Sequence, residues 1–146
     1  MNSKRIVLFF ALSLFYFLGN AQDCTLDIGG KNTETLVGVF QMNEEQVSQM
    51  ETFRAGLAVE MRIIEEDIEK LFATHPQSSP EELTMLAEKY DVYKHKAVEA
   101  SKAADVKLIS IFNQKQYDRY IELCTEASRR PLQVEKMMEK SESKPE

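Results

Sequence analysis

Between Asn43 and Ile111 the sequence carries two apolar stripes at helical spacing, separated by the segment His75-Pro76-Gln77-Ser78-Ser79-Pro80. A helix cannot run through that segment, because proline lacks an amide donor and turns the residue before it away from the α region. Before the break, Val47, Met50, Leu57, Met61, Ile64, Ile68 and Leu71 follow one another, with Arg54 at the single missing step, at a mean spacing near the coiled-coil repeat. After it, Leu83, Leu86, Tyr90, Tyr93, Ala97, Ala100, Ala104, Leu108 and Ile111 keep a three-four alternation. Both stripes open on a start signal. Asn43 with Gln46, and Ser79 with Glu82 behind Pro80, have the form of a capping box, in which a side-chain oxygen takes an orphan amide and the residue three positions on reaches back. Two helices of about 30 residues, each about 45 Å long, joined by so short a loop must lie antiparallel as a hairpin.

A third box, Asn113 with Gln116, opens a helix whose apolar face is Tyr117, Tyr120, Ile121, Cys124 and Ala127, running to about Arg130. The fold class is therefore all-α, a long antiparallel hairpin flanked by shorter helices. Residues 43–130 form the core domain. Ahead of it, residues 22–42 hold Gly29-Gly30 and an expected short helix over 34–41. Behind it, Pro131 marks a kink or break, Leu132, Val134, Met137 and Met138 offer two more helical turns, and the rest of 131–146 is expected to be a disordered acidic tail with nothing to bury.

Residues 1–21 are expected to direct export. Lys4 and Arg5 precede the unbroken apolar run Ile6–Leu18, and Gly19-Asn20-Ala21 has small residues where a signal peptidase reads them. The run is too short for a bilayer core, which takes about 20 residues, so no stable membrane insertion is expected after cleavage. Export places Cys24 and Cys124 in an oxidising compartment, where they can form a disulfide within the chain or a bridge between chains. Removing Lys4 and Arg5 leaves 16 basic against 24 acidic side chains. An acidic chain without a basic stripe is a poor match for nucleic acid.

The stripes are wider than one hairpin can use. Phe53, Val59, Ile63 and Phe72 on the first helix, and Met85, Val92, Val106 and Ile109 on the second, lie beyond the seam. That surplus must meet the flanking helices, a second copy of the chain, or a partner. Chemistry for catalysis is hard to find: there is no phosphate cradle, nucleophile elbow or His-Glu-x-x-His, and the two histidines are His75 and His95. Asp91 and His95 share a helix face but fall short of a three-ligand site. Glu65, Glu66, Asp67 and Glu69 read as a solvated face, with Glu66 placed to pair with Lys70. No enzyme, cofactor or metal site is expected.

Met42-Asn43-Glu44-Glu45-Gln46 and Phe112-Asn113-Gln114-Lys115-Gln116 both resemble the LTxxQ motif, with Asn for Thr and with Met42 and Phe112 for Leu. Two copies flanking a long helical hairpin behind a signal peptide resemble the Spy and CpxP family of bacterial periplasmic stress proteins, over about residues 35–130. The resemblance implies a cradle-like antiparallel homodimer in the periplasm of a Gram-negative bacterium. It also implies binding of unfolded or misfolded envelope proteins without ATP, or docking on a membrane stress sensor. On this reading Met50, Phe53, Met61 and Met85 are candidate client-binding residues, methionine being flexible and polarisable. The alternatives are a metal-responsive periplasmic regulator and a structural helical oligomer without a client.

Overall fold

The computed structural model describes residues 22–30 and 32–134. The expected signal peptide and residues 135–146 lie outside the described residues. Six elements follow in order: β1 Asp23–Cys24, α1 Thr33–Phe40, α2 Glu44–Thr74, α3 Pro80–Ser110, α4 Gln114–Glu126 and β2 Arg130–Pro131. The fold is all-α; the two short strands form a parallel pair, Asp23 opposite Arg130 and Cys24 opposite Pro131.

Each long helix starts where its local chemistry dictates. Asn43, Ser79 and Asn113 are the N-caps, and in all three boxes the cap side chain accepts from the third amide while the third side chain accepts from the cap amide. Pro80 occupies the first turn of α3, where its missing N–H costs nothing. α2 and α3 contain 31 residues each and pack along their length as the expected antiparallel hairpin.

The C-terminal expectation is corrected. α4 stops at Glu126, short of Arg130, because Ser128 takes a left-handed φ of 53° and the Arg129 amide closes the helix by donating to the Cys124 carbonyl at 2.8 Å. Pro131 is not a kink between helices but lies in β2, and residues 132–134 are in neither helix nor strand, with Leu132 and Val134 buried. Two buried residues separated by one exposed residue follow the strand period, not the helical one.

The core gathers at one end of the hairpin. Met50 and Leu57 of α2 and Ala100, Ala104, Leu108 and Ile109 of α3 join Ile28, Leu36, Phe40, Phe112, Tyr120, Leu132 and Val134 from the flanking segments. The flanking segments thus absorb Ile109 completely and Phe53 and Val106 in part. Towards the hairpin tip, only Ile64 and Leu86 are buried. There the seam is narrower than the sequence spacing implies: Leu83 and Tyr90, expected inside it, are exposed. Two helices alone enclose a single line of side chains, and positions one step to the side stay in water. The molecule is therefore a packed base from which the outer half of the hairpin projects.

Candidate functional site

The two LTxxQ-like segments meet in the base. Gln46 Nε2 donates to Gln116 Oε1 at 2.8 Å, and Gln116 Nε2 donates to Gln46 Oε1 at 2.9 Å. The second hydrogen of each amide goes to a carbonyl at the end of the helix that leads into its partner's helix, Ile111 O after α3 for Gln46 and Phe40 O of α1 for Gln116, at 2.9 and 3.0 Å. Each Oε1 also accepts from its own cap amide, Asn43 at 3.2 Å and Asn113 at 2.9 Å. Every donor and lone pair of both buried carboxamides is used, which is the condition under which burial of such groups is not penalised. The Phe40 and Phe112 rings also meet, their centroids 4.7 Å apart and their planes tilted by 36°. The motif glutamines thus tie the ends of α1 and α3 to the starts of α2 and α4, and both are buried.

A second set of contacts straps the N-terminal segment across the base. The buried Asp105 carboxylate accepts from the backbone amides of Leu26, Asp27 and Ile28 at 2.7, 3.1 and 3.0 Å. Burial pushes its carboxyl above the ordinary range, and the Ile28, Leu26 and Asp27 amides draw it part of the way back. Cys24 and Cys124 form a disulfide within the chain, with Cα atoms 5.6 Å apart. Tyr120 donates its hydroxyl hydrogen to the Cys24 carbonyl and accepts from the Leu132 amide, each at 2.8 Å. Burial raises that hydroxyl to about 12, so it stays protonated as this geometry requires. At the rim Asp23 pairs with Lys102 at 2.8 Å and with Arg130 at 2.6 Å, and these two cations hold its carboxyl below the ordinary value. A Cβ on Gly29 would sit 2.9 Å from Leu57 Cδ2, so the strap's close approach to α2 favours glycine there.

Where the strap ends, a groove of about 510 Å³ opens along the hairpin, lined by Gly29, Gly30, Arg54, Leu57, Met61 and Ser101 among others. Arg54 lies over it, with Nη1 on the Glu51 carboxylate at 2.9 Å and Nη2 on the Gly30 carbonyl at 3.4 Å. Beyond the groove the hairpin exposes large apolar side chains. Val59 and Ile63 are 52% exposed, Met85 51% and Val92 55%, with Phe72, Leu83, Tyr90 and Val98 also open to solvent. Phe72 and Tyr90 touch each other across the two helices, their centroids 5.7 Å apart.

The capping residues Asn43, Gln46, Ser79, Glu82, Asn113 and Gln116 all stand where expected, and the two glutamines prove to be mutual partners. The candidate client-binding residues divide. Met50 is 0% exposed, which corrects its assignment: it is part of the core and cannot meet a client on the surface. Phe53 and Met61 are half-buried against the core, while Met85 is exposed. His95 Nδ1 lies 3.2 Å from Asp91 Oδ2, and no cluster of three or more possible metal ligands occurs among the described residues. The Glu66–Lys70 pair foreseen on α2 is not formed.

Sequence reasoning missed Asp105 and the Tyr120 hydroxyl. Asp105 had a signal: it is a lone carboxylate between Ala104 and Val106, in a stretch that otherwise alternates between two buried stripes. No family model, curated protein or solved structure matches this chain.

Proposed function

We propose that this protein is an exported, non-enzymatic holder of unfolded polypeptide that works without ATP in the periplasm, either on misfolded envelope proteins directly or as an adaptor docked on a membrane stress sensor. The observation that carries this reading is the run of exposed apolar side chains on the outer half of the hairpin, projecting from a base locked by a disulfide and by buried polar contacts. Large apolar side chains left exposed in such number are kept where a partner covers them. A rigid base with an open apolar extension suits clients of many sequences, since burial of apolar area is non-directional. The Cys24–Cys124 disulfide fits an oxidising compartment, and the two LTxxQ-like segments support the periplasmic stress-protein reading. Pairing of two copies belongs to the same proposal, with Phe72, Leu83 and Tyr90 near the tip as apolar surface for it.

The test is suppression of aggregation. The chain from residue 22, added without nucleotide to a chemically denatured client as it is diluted, is expected to lower light scattering at equimolar dose. Replacing Val59, Ile63, Met85 and Val92 together by serine is expected to remove most of that effect while leaving helicity by circular dichroism unchanged, since all four are exposed. Scattering that is the same with and without several-fold excess of the protein rules out client holding and leaves the adaptor docked on a stress sensor.

A further inference from the structure

The exposed apolar residues of α2 do not stand in a neutral surround. Val59 and Ile63, four apart, lie on the side of the helix away from the buried line Met50, Leu57 and Ile64. The positions three and four residues from Ile63 are Val59, Glu60, Glu66 and Asp67, and these are its neighbours on the helix surface. All three acids are exposed, and none enters an ion pair among the described residues. The bias extends beyond them: Glu65 and Glu69 are also exposed and unpaired on the same stretch of α2, against which stand Arg62 and Lys70. An apolar patch with five exposed carboxylates and two exposed cations around it is matched by a surface that brings both apolar groups and positive charge.

We propose that this outer face of α2 docks segments of unfolded polypeptide in which apolar side chains are interspersed with lysine or arginine. The proposal rests on the client-holding reading above and gives it a specificity. A cationic segment gains the burial of Val59 and Ile63 together with the attraction of Glu60, Glu66 and Asp67; an acidic segment of equal hydrophobicity gains the first and meets repulsion in the second. A second copy of the chain is a poor occupant. Closed pairing of two copies about a twofold axis brings the same patch against itself, which here sets one net-acidic stretch of α2 against another.

Two short fluorescent peptides with identical apolar residues, one carrying lysines and the other glutamates at the remaining positions, are titrated with the chain from residue 22 and followed by anisotropy. At low salt the lysine peptide is expected to bind at least about tenfold more tightly, the preference shrinking towards unity at about 0.5 M salt as the exposed charges are screened. Glu66→Lys with Asp67→Lys abolishes the preference. Glu34→Lys with Glu126→Lys, an equal charge change at exposed sites on α1 and α4, leaves it in place. Equal affinity for the two peptides overturns the charge assignment while leaving client holding intact. A preference lost equally in both charge variants overturns the local site in favour of net charge. Binding of neither peptide overturns this proposal and the client-holding reading together. A stable dimer that separates on Val59→Ser with Ile63→Ser also overturns it, by assigning the face to a second copy.

Discussion

Asp105→Ala is expected to destabilise the protein by about 3 kcal/mol or more, because it strips the acceptor from three backbone amides, and a buried donor left unsatisfied costs about 1–3 kcal/mol. Against a total stability of about 5–15 kcal/mol for a domain of this kind, that is a large fraction. The loss also has a location. Leu26, Asp27 and Ile28 hold the strap on the base, so Ile28 and the Gly29–Leu57 contact should loosen before the hairpin does. Urea unfolding gives the magnitude, and exchange of the Leu26–Ile28 amides gives the place. The pH dependence has a definite sign. The folded carboxyl titrates above its ordinary value, so its contribution to stability is complete below that value and declines as pH rises through the raised one. Asp23 behaves oppositely: held low by Lys102 and Arg130, it contributes above the ordinary carboxylate value and is lost as pH falls through the lowered one. Asp105→Asn removes only the first contribution, so the stability gap between the natural chain and that variant is expected to widen on acidification from neutral pH. A gap that narrows on acidification contradicts the assignment.

Loss of the disulfide is the other large effect. Cys24→Ser with Cys124→Ser opens a loop with a sequence separation of 100 residues, for which the chain-entropy account gives about 4–5 kcal/mol as an upper figure. The parallel β1–β2 pair, the Tyr120 hydroxyl and Asp105 still hold the strap, so the folded state of the variant keeps its helices. The expected result is a large fall in the urea midpoint with little change in far-ultraviolet circular dichroism at zero denaturant. A midpoint within experimental error of the natural chain contradicts the expectation.

The hairpin could be read residue by residue because its determinants are local. Asn43, Ser79 and Asn113 each carry their partner three positions on, and Pro76 and Pro80 enforce the break whatever packs around them. The division into base and outer hairpin was only half visible. The surplus stripes were evident, but which of their members the flanking segments cover depends on where the strap and α4 dock, so nothing local distinguishes Ile109, fully buried, from Val92, exposed. Met50 shows the same limit from the other side. Its type suggested a binding surface, but its place in the seven-residue series with Leu57 and Ile64 puts it on the seam, and position prevailed over type. The mutual bonding of Gln46 and Gln116 left no trace in the sequence beyond two similar motifs, since the contact joins residues 70 positions apart. After Pro131 the spacing of Leu132, Val134, Met137 and Met138 suggests helical turns, but Leu132 and Val134 are not helical and are buried in alternation; Met137 and Met138 lie outside the described residues.

The polar contacts of the base and the exposed side chains of the outer hairpin have separate tasks. Gln46, Gln116, Asp105 and Tyr120 are all buried and face one another or backbone, so they fix the frame. Val59, Ile63, Met85 and Val92 contribute little to that frame and are free to be covered by something else. The most direct measurement of this division is hydrogen exchange of the chain from residue 22, read by mass spectrometry with and without an excess of unfolded client. The account predicts that alone, α4 and residues 100–110 of α3 exchange slowest and the outer hairpin fastest. With client present, new protection should fall on residues 58–74 and 80–99 and leave the base as it was. Protection concentrated in the base, or none at all under conditions where aggregation is suppressed, would contradict it.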